Sequence, residues 1–166
     1  MTGPLSRLSD EIEIQRLGSA YSHACMRLDG KSASMTYAHD GVLSAFYKAD
    51  FVGREAIADA LVATLGRLQF LTQSCSAGVI EVAGDRATAV WTVAEFYAAQ
   101  GDDAPSCCFG SYEDALIRTS EGWRFARRRF LPFYRGGLDG GKMFGPAAFE
   151  QPLDNWPPGP LNEPGS

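Results

Sequence analysis

Along the first 28 residues, apolar side chains recur at Ile14, Leu17, Tyr21, Ala24, Cys25 and Leu28. That spacing of three and four predicts one face of a helix from Ser9 to about Leu28. Ser9 or Asp10 is suited to cap its start, with Glu11 and Glu13 near the positive end of the helix dipole. Asp29-Gly30 ends it. A short second helix from about Lys31 to Ala38 leads to a turn at Asp40-Gly41 and a β-rich stretch from Val42 to Tyr47. After Gly53, Ile57, Leu61, Leu65 and Leu68 share a face of a third amphipathic helix over Arg54 to Leu68. Beyond it the period changes to two. Gly78 to Ala83 reads as a strand, Gly84-Asp85 as a tight turn, and Ala87 to Ala99 as a return strand with Trp91, Val93, Glu95 and Tyr97 on one face. Cys107 to Thr119 and Trp123 to Tyr134 are two further long strands joined at Glu121-Gly122.

Helices first and antiparallel strands afterwards is an α+β pattern. It predicts a cone-shaped domain, residues 1–135, in which N-terminal helices pack on a curved, mostly antiparallel sheet that encloses a pocket. Residues 136–166 are rich in Gly and Pro and read as an irregular tail. Leu138, Met143, Phe144, Phe149, Leu153 and Trp156 make that tail too apolar for a free linker. It is expected to pack across the rim of the pocket, on its own domain or on a neighbouring subunit.

Composition narrows the partners. Of 166 residues, 45% are hydrophobic and 21% charged, as in an ordinary globular domain, and the formal net charge of -5 gives no electrostatic reason to bind nucleic acid or an anionic membrane. The N-terminus lacks the apolar run of a signal peptide and no stretch is long enough to span a bilayer, so a cytoplasmic location is expected. Cys25, Cys75, Cys107 and Cys108 lack zinc-site spacing and read as small buried hydrophobes. No Gly-rich phosphate loop, zinc-spaced His/Cys cluster or nucleophile elbow is present, so the sequence calls for neither metal nor cofactor. A hydrophobic small molecule is the expected partner.

Several local patterns, in their order, resemble one family. Ile14-x-x-Leu17-x-x-x-Tyr21 resembles its opening helix, and Asp29 followed by Tyr37-Ala38-His39-Asp40-Gly41 its D…F-x-x-D-G stretch. Gly53-Arg54-Glu55-Ala56-Ile57 resembles the start of its third helix and Gly84-Asp85-Arg86-Ala87 its hairpin. Gly110-Ser111-Tyr112-Glu113-Asp114 and Gly122-Trp123-Arg124-Phe125 resemble its last two strands. Together they resemble the SnoaL-like family of the nuclear transport factor 2-like superfamily, over about Ile12 to Tyr134. The branch most similar includes scytalone dehydratase, bile-acid 7α-dehydratase and hexachlorocyclohexane dehydrochlorinase. The resemblance implies a homo-oligomer, a trimer before a dimer. It also implies a pocket tyrosine, an aspartate five residues later and a histidine opening a long strand. Tyr21 matches the tyrosine, but Met26 and Gln73 stand at the other two positions, and neither exchanges a proton near neutral pH.

Catalysis then needs another group. Glu95, in phase with Trp91, Val93 and Tyr97, would face an apolar environment that raises its pKa toward that of a general base. A solvent-facing glutamate, or one paired to Arg128, is the plain alternative. Tyr21 is placed to donate to a substrate oxygen, or merely to pack in the core. Gln73 can both donate and accept where relatives use histidine. Tyr47, Trp91 and Tyr97 are candidate substrate contacts. One of Arg127, Arg128 and Arg129 is available for an anionic group, Arg128 being alone on its face, and His39 is a further candidate beside a solvated reading. His23 lies nearly opposite the apolar stripe. These groups suit a cofactor-free lyase or isomerase acting by acid–base catalysis on an aromatic or polycyclic oxygenated molecule, with loss of water first and carbon–carbon cleavage after it. The alternatives are a polyketide-type cyclase and a non-catalytic ligand-binding or structural subunit like the β subunits of ring-hydroxylating dioxygenases.

Overall fold

The computed structural model describes residues 4–45, 49–76, 78–137 and 142–143. Helix α1 spans Pro4–Met26, longer than the apolar stripe alone predicts. Proline suits the first helical turn, where its missing N–H has no partner to lose. Asp10 therefore sits inside the helix and caps nothing. It is buried, accepting from Arg118 Nη2 at 2.5 Å and Trp123 Nε1 at 3.2 Å. Ile14, Leu17, Tyr21, Ala24 and Cys25 form the buried face of α1.

Helix α2, Gly30–Ser34, is capped by Asp29, whose carboxylate accepts from Ser32 N at 2.9 Å. Gly30 is required here, because a Cβ would meet Val62 N at 2.4 Å. The helix is shorter than expected, since Tyr37 already belongs to strand β1, Tyr37–Ser44. Asp40-Gly41 lies within that strand at a register irregularity and makes no turn that ends it. Strand β2, Phe51–Val52, pairs with β1. Helix α3, Arg54–Leu65, buries Ile57, Leu61 and Leu65. Leu68 is not its last turn but the start of β3, Leu68–Cys75, a strand the apolar pattern conceals.

The hairpin β4, Val79–Ala83, and β5, Arg86–Ala99, turns at Gly84, whose φ of 62° favours glycine. Strands β6, Ser106–Thr119, and β7, Gly122–Gly136, follow as expected. The sheet order is β2-β1-β7-β6-β5-β3, with β4 on the free length of β5, and every pairing is antiparallel except β1 with β7. Helices packed on a curved, open, mostly antiparallel sheet realise the α+β cone. Strand β8, Lys142–Met143, pairs with the end of β7. The rest of the tail beyond Gly137 lies outside the described residues, and the rim position expected for it with them.

Strand β7 holds two bulges. Ala115 and Leu116 face Arg127 and Phe125, and Phe109 and Gly110 face Tyr134 and Pro132, so Ala126 and Phe133 are each one residue in excess. Each bulge reverses the facing of everything after it. The first turns both Phe125 and Arg128 inward. Arg128 is 0% exposed and Asp114, its direct cross-strand neighbour, 1%. The guanidinium donates from Nε to Asp114 Oδ1 at 2.8 Å and from Nη2 to Oδ2 at 2.6 Å. Trp91 Nε1 adds a third bond to Oδ2 at 2.6 Å. The cation also lies over the rings of Phe125, Tyr112 and Tyr21, at 3.9, 4.2 and 4.5 Å from their centroids.

Removing the anion alone would leave a buried cation uncompensated. Asp114→Ala should cost about 3–5 kcal/mol in urea unfolding. The double change Asp114→Leu with Arg128→Met should cost less than the single one, because it leaves no charge unpaired.

Candidate functional site

Between α1, α3 and the concave face of the sheet lies a cavity of about 460 Å³. Its wall is mainly apolar, with Leu43, Phe51, Leu61, Leu65, Leu71 and Phe130 among its residues, and a few polar groups converge on it: Tyr21, Gln73, Glu95, Tyr97, Tyr112 and Arg135. That combination is typical of small-molecule sites.

The polar groups have a simple origin in the sheet. Gln73 on β3 faces Glu95 on β5, Glu95 faces Cys108 on β6, and Cys108 faces Arg135 on β7. Directly opposed residues share a face, so amide, carboxylate, thiol and guanidinium form one row across four strands. The second β7 bulge completes the row. Without the extra residue Phe133, Tyr134 would turn to the cavity in place of Arg135.

Gln73 is 6% exposed and donates from Nε2 to Glu95 Oε1 at 2.7 Å and to the Tyr112 hydroxyl at 3.2 Å. Both amide hydrogens are thereby used, and its buried Oε1 makes no hydrogen bond among the described residues. Gln73 thus holds the carboxylate and the phenol, and does not point a free donor at the cavity. Glu95 keeps partial exposure through the cavity, and its Oε2 makes no hydrogen bond among the described residues. Burial raises its pKa above the ordinary 4.5, outweighing the Gln73 bond and the more distant Arg135 charge, which lower it.

Tyr21 and Tyr112 stack edge to face at 5.9 Å between ring centroids. Burial pushes both phenols well above 10.0, against the opposing charge of Arg128, so both stay protonated and able to donate. Burial also pushes the thiols of Cys25 and Cys108 up to about 12, which keeps them neutral. Tyr97 lines the cavity too, and its hydroxyl accepts from Arg135 Nε at 3.0 Å.

Other expected contacts lie elsewhere. Arg128 does not line the cavity, because its charge is committed to Asp114 beneath the aromatic rings. Trp91 is a buried core residue tied to the same aspartate. His39 is exposed on β1 and away from the cavity, and Tyr47 lies outside the described residues. Met26 is 39% exposed, and the residue of α1 that reaches the cavity a turn after Tyr21 is Cys25. Sequence reasoning passed over Cys25, Tyr112, Cys108 and Arg135. Parity with Glu95 would have found Cys108 only through the register, and Arg135 only through the bulge. Among the described residues, no group of three or more His, Cys, Asp or Glu side chains could hold a metal ion.

A family model of the SnoaL-like domain matches residues 6–129. Among solved structures, a hexachlorocyclohexane dehydrochlorinase of type 2 superposes with a TM-score of 0.76 at 17% identity, covering 87% of this chain and 98% of its own. A candidate scytalone dehydratase from Novosphingobium aromaticivorans gives 0.72 at 18% identity, with 78% and 87% covered. A protein of unknown function from Mycobacterium tuberculosis gives 0.70 at 25% identity, with 78% and 76% covered. No curated protein matches the sequence.

The raised pKa of Glu95 has a signature in stability. As pH rises past 4.5, an unfolded chain releases this proton while the folded protein retains it. Wild type should therefore lose stability relative to Glu95→Gln as the pH climbs from 4.5 to the higher folded pKa, after which the difference is constant. Melting curves of both proteins from about pH 4 to about pH 8 check the direction.

Proposed function

We propose, from the premise that this chain belongs to the SnoaL-like domain family of nuclear transport factor 2-like folds, that it is a cofactor-free lyase or isomerase. Its general base is Glu95, and its substrate is a hydrophobic, oxygenated, aromatic or polycyclic molecule. One observation carries the reading: a carboxylate with a raised pKa faces an apolar cavity beside two phenols that keep their protons. Acid and base of opposite assignment in one dry site are what proton transfer needs.

In a dehydration, Glu95 Oε2 takes the proton from the carbon next to a carbonyl. Tyr112 or Tyr21 donates to the oxygen that gains charge. The hydroxyl one carbon further takes up the proton that Glu95 removed and leaves as water, so that a carbon–carbon double bond forms and the carboxylate is restored. Gln73 acts through Glu95 as a positioning residue, fixing one carboxylate oxygen so that the other faces the substrate. The superposed dehydrochlorinase and dehydratase structures support elimination as a chemistry this fold accommodates.

A minimal probe is 3-hydroxy-1-tetralone, whose loss of water yields 1-naphthol and a strong absorbance change. Wild type should accelerate this reaction, with kcat/KM rising with pH through the raised pKa of Glu95. Glu95→Gln should lose at least about a hundredfold in kcat while remaining folded. Near-normal turnover by a folded Glu95→Gln protein would remove Glu95 from this role.

The assembly belongs to the same proposal. Phe70, Phe96 and Phe109 are exposed on the sheet, the last two with ring centroids 6.2 Å apart, and such a row favours a covered surface. A homo-oligomer, a trimer before a dimer, is the expected state in light scattering. A stable 17.9 kDa monomer at micromolar concentration would contradict it.

A further inference from the structure

The arginines of β7 differ in how they are neutralised. Arg124, Arg127, Arg128 and Arg129 each have a carboxylate within salt-bridge distance, on Glu121, Asp50, Asp114 and Glu113. Arg135 has none among the described residues. It lines the cavity, and its Nε is held by a neutral phenol, Tyr97. That bond fixes the side chain while leaving both terminal nitrogens without a partner among the described residues, the fork that pairs with a carboxylate in two parallel bonds. A bulge in β7 is what turns this residue to the cavity side of the sheet, where it stays solvent-exposed, so its facing comes from a specific backbone feature and not from the strand's plain alternation.

We propose that Arg135 is the anion-recognition group of the cavity, and that the ligand is an amphipathic molecule with an apolar ring body and a carboxylate. The inference rests on the reading of Glu95 as the reacting end of the same row. Glu95 and Arg135 are separated by the strand that carries Cys108, which sets their backbones roughly 10 Å apart, two strand spacings. The carboxylate therefore lies across the ring body from the reacting carbon. Between them Cys108 contributes a small neutral thiol, which leaves room for a flat ring. Leu61 and Leu65 of α3 also line the cavity and give the ring body an apolar wall from the helix.

Two probes test this: 6-hydroxy-2-naphthoate and 6-hydroxy-2-naphthamide, alike in shape and differing in charge. Calorimetric titration of the full chain should show wild type binding the acid about tenfold or more tighter than the amide. In Arg135→Gln the two affinities should converge through loss on the acid alone, with an unchanged melting temperature. Arg135→Lys should keep part of the preference, having the charge without the planar fork. Equal affinities in wild type, a preference that survives in Arg135→Gln, or no binding of the acid would each overturn the proposal. Glu95→Gln separates it from the catalytic reading. Removing that negative charge should preserve or enlarge the preference for the acid. Retained preference with failed turnover in wild type defeats the general-base reading alone, and turnover without preference defeats the Arg135 reading alone.

Discussion

The buried pair of Asp114 and Arg128 is the constraint on which the other features depend. Two charges removed from water are expensive unless every hydrogen-bonding position is well used. Here three donors converge on one carboxylate and three rings take the face of the guanidinium, although its buried Nη1 makes no hydrogen bond among the described residues. Those contacts come from α1, β5, β6 and β7, so satisfying one pair fixes the relative placement of four elements. Tyr21 and Tyr112 are held by the same cation that their rings cover, and both line the cavity. The position of the two phenols is therefore a by-product of neutralising the core.

Much of this was legible in the chain. The inward faces of α1 and α3, the β4–β5 turn and the facing of Glu95 follow from period and turn chemistry, because burial there obeys simple alternation. What was not legible has particular causes. Strand β3 was hidden because its inward positions are Leu71 and Gln73, and a polar residue at a core-facing position breaks the apolar alternation. Such local conflicts tend to fall at functional sites. Arg128 stands alone on its face, and Glu113 and Asp114 are legible as partners for these arginines, but no pattern in Arg127-Arg128-Arg129 announces the bulge at Ala126 that carries the Arg128–Asp114 pair into the core. Arg135 was read as the end of the domain for the same reason, the bulge at Phe133.

With Met26 and Gln73 at the two positions where the resemblance implies an aspartate and a histidine, and Met26 39% exposed, the proton chemistry has to reside elsewhere. Gln73 and Cys25 do line the cavity, yet neither titrates usefully: an amide does not ionise near neutral pH, and the thiol is held up to about 12. The Gln73 amide instead spends its two hydrogens on Glu95 and Tyr112, one on β5 and one on β6. On the proposed reading, the position that carries the histidine in relatives becomes a support, and the base moves one strand over.

That relocation works only if the nearby cation leaves the base strong. A guanidinium in contact with Glu95 would form an ion pair and drive its pKa down, as the contact with Arg54 does for Glu121. The sheet prevents this by interposing a strand: Cys108 occupies the position between Glu95 and Arg135, and Tyr97 draws the guanidinium toward its own hydroxyl. Arg135 then lowers the pKa of Glu95 by less than burial raises it, and the carboxylate keeps its affinity for a proton. Strand spacing thus lets one row of side chains carry a carboxylate of raised pKa and a cation without either cancelling the other. A ligand that reaches both ends has to bridge the gap with its own body.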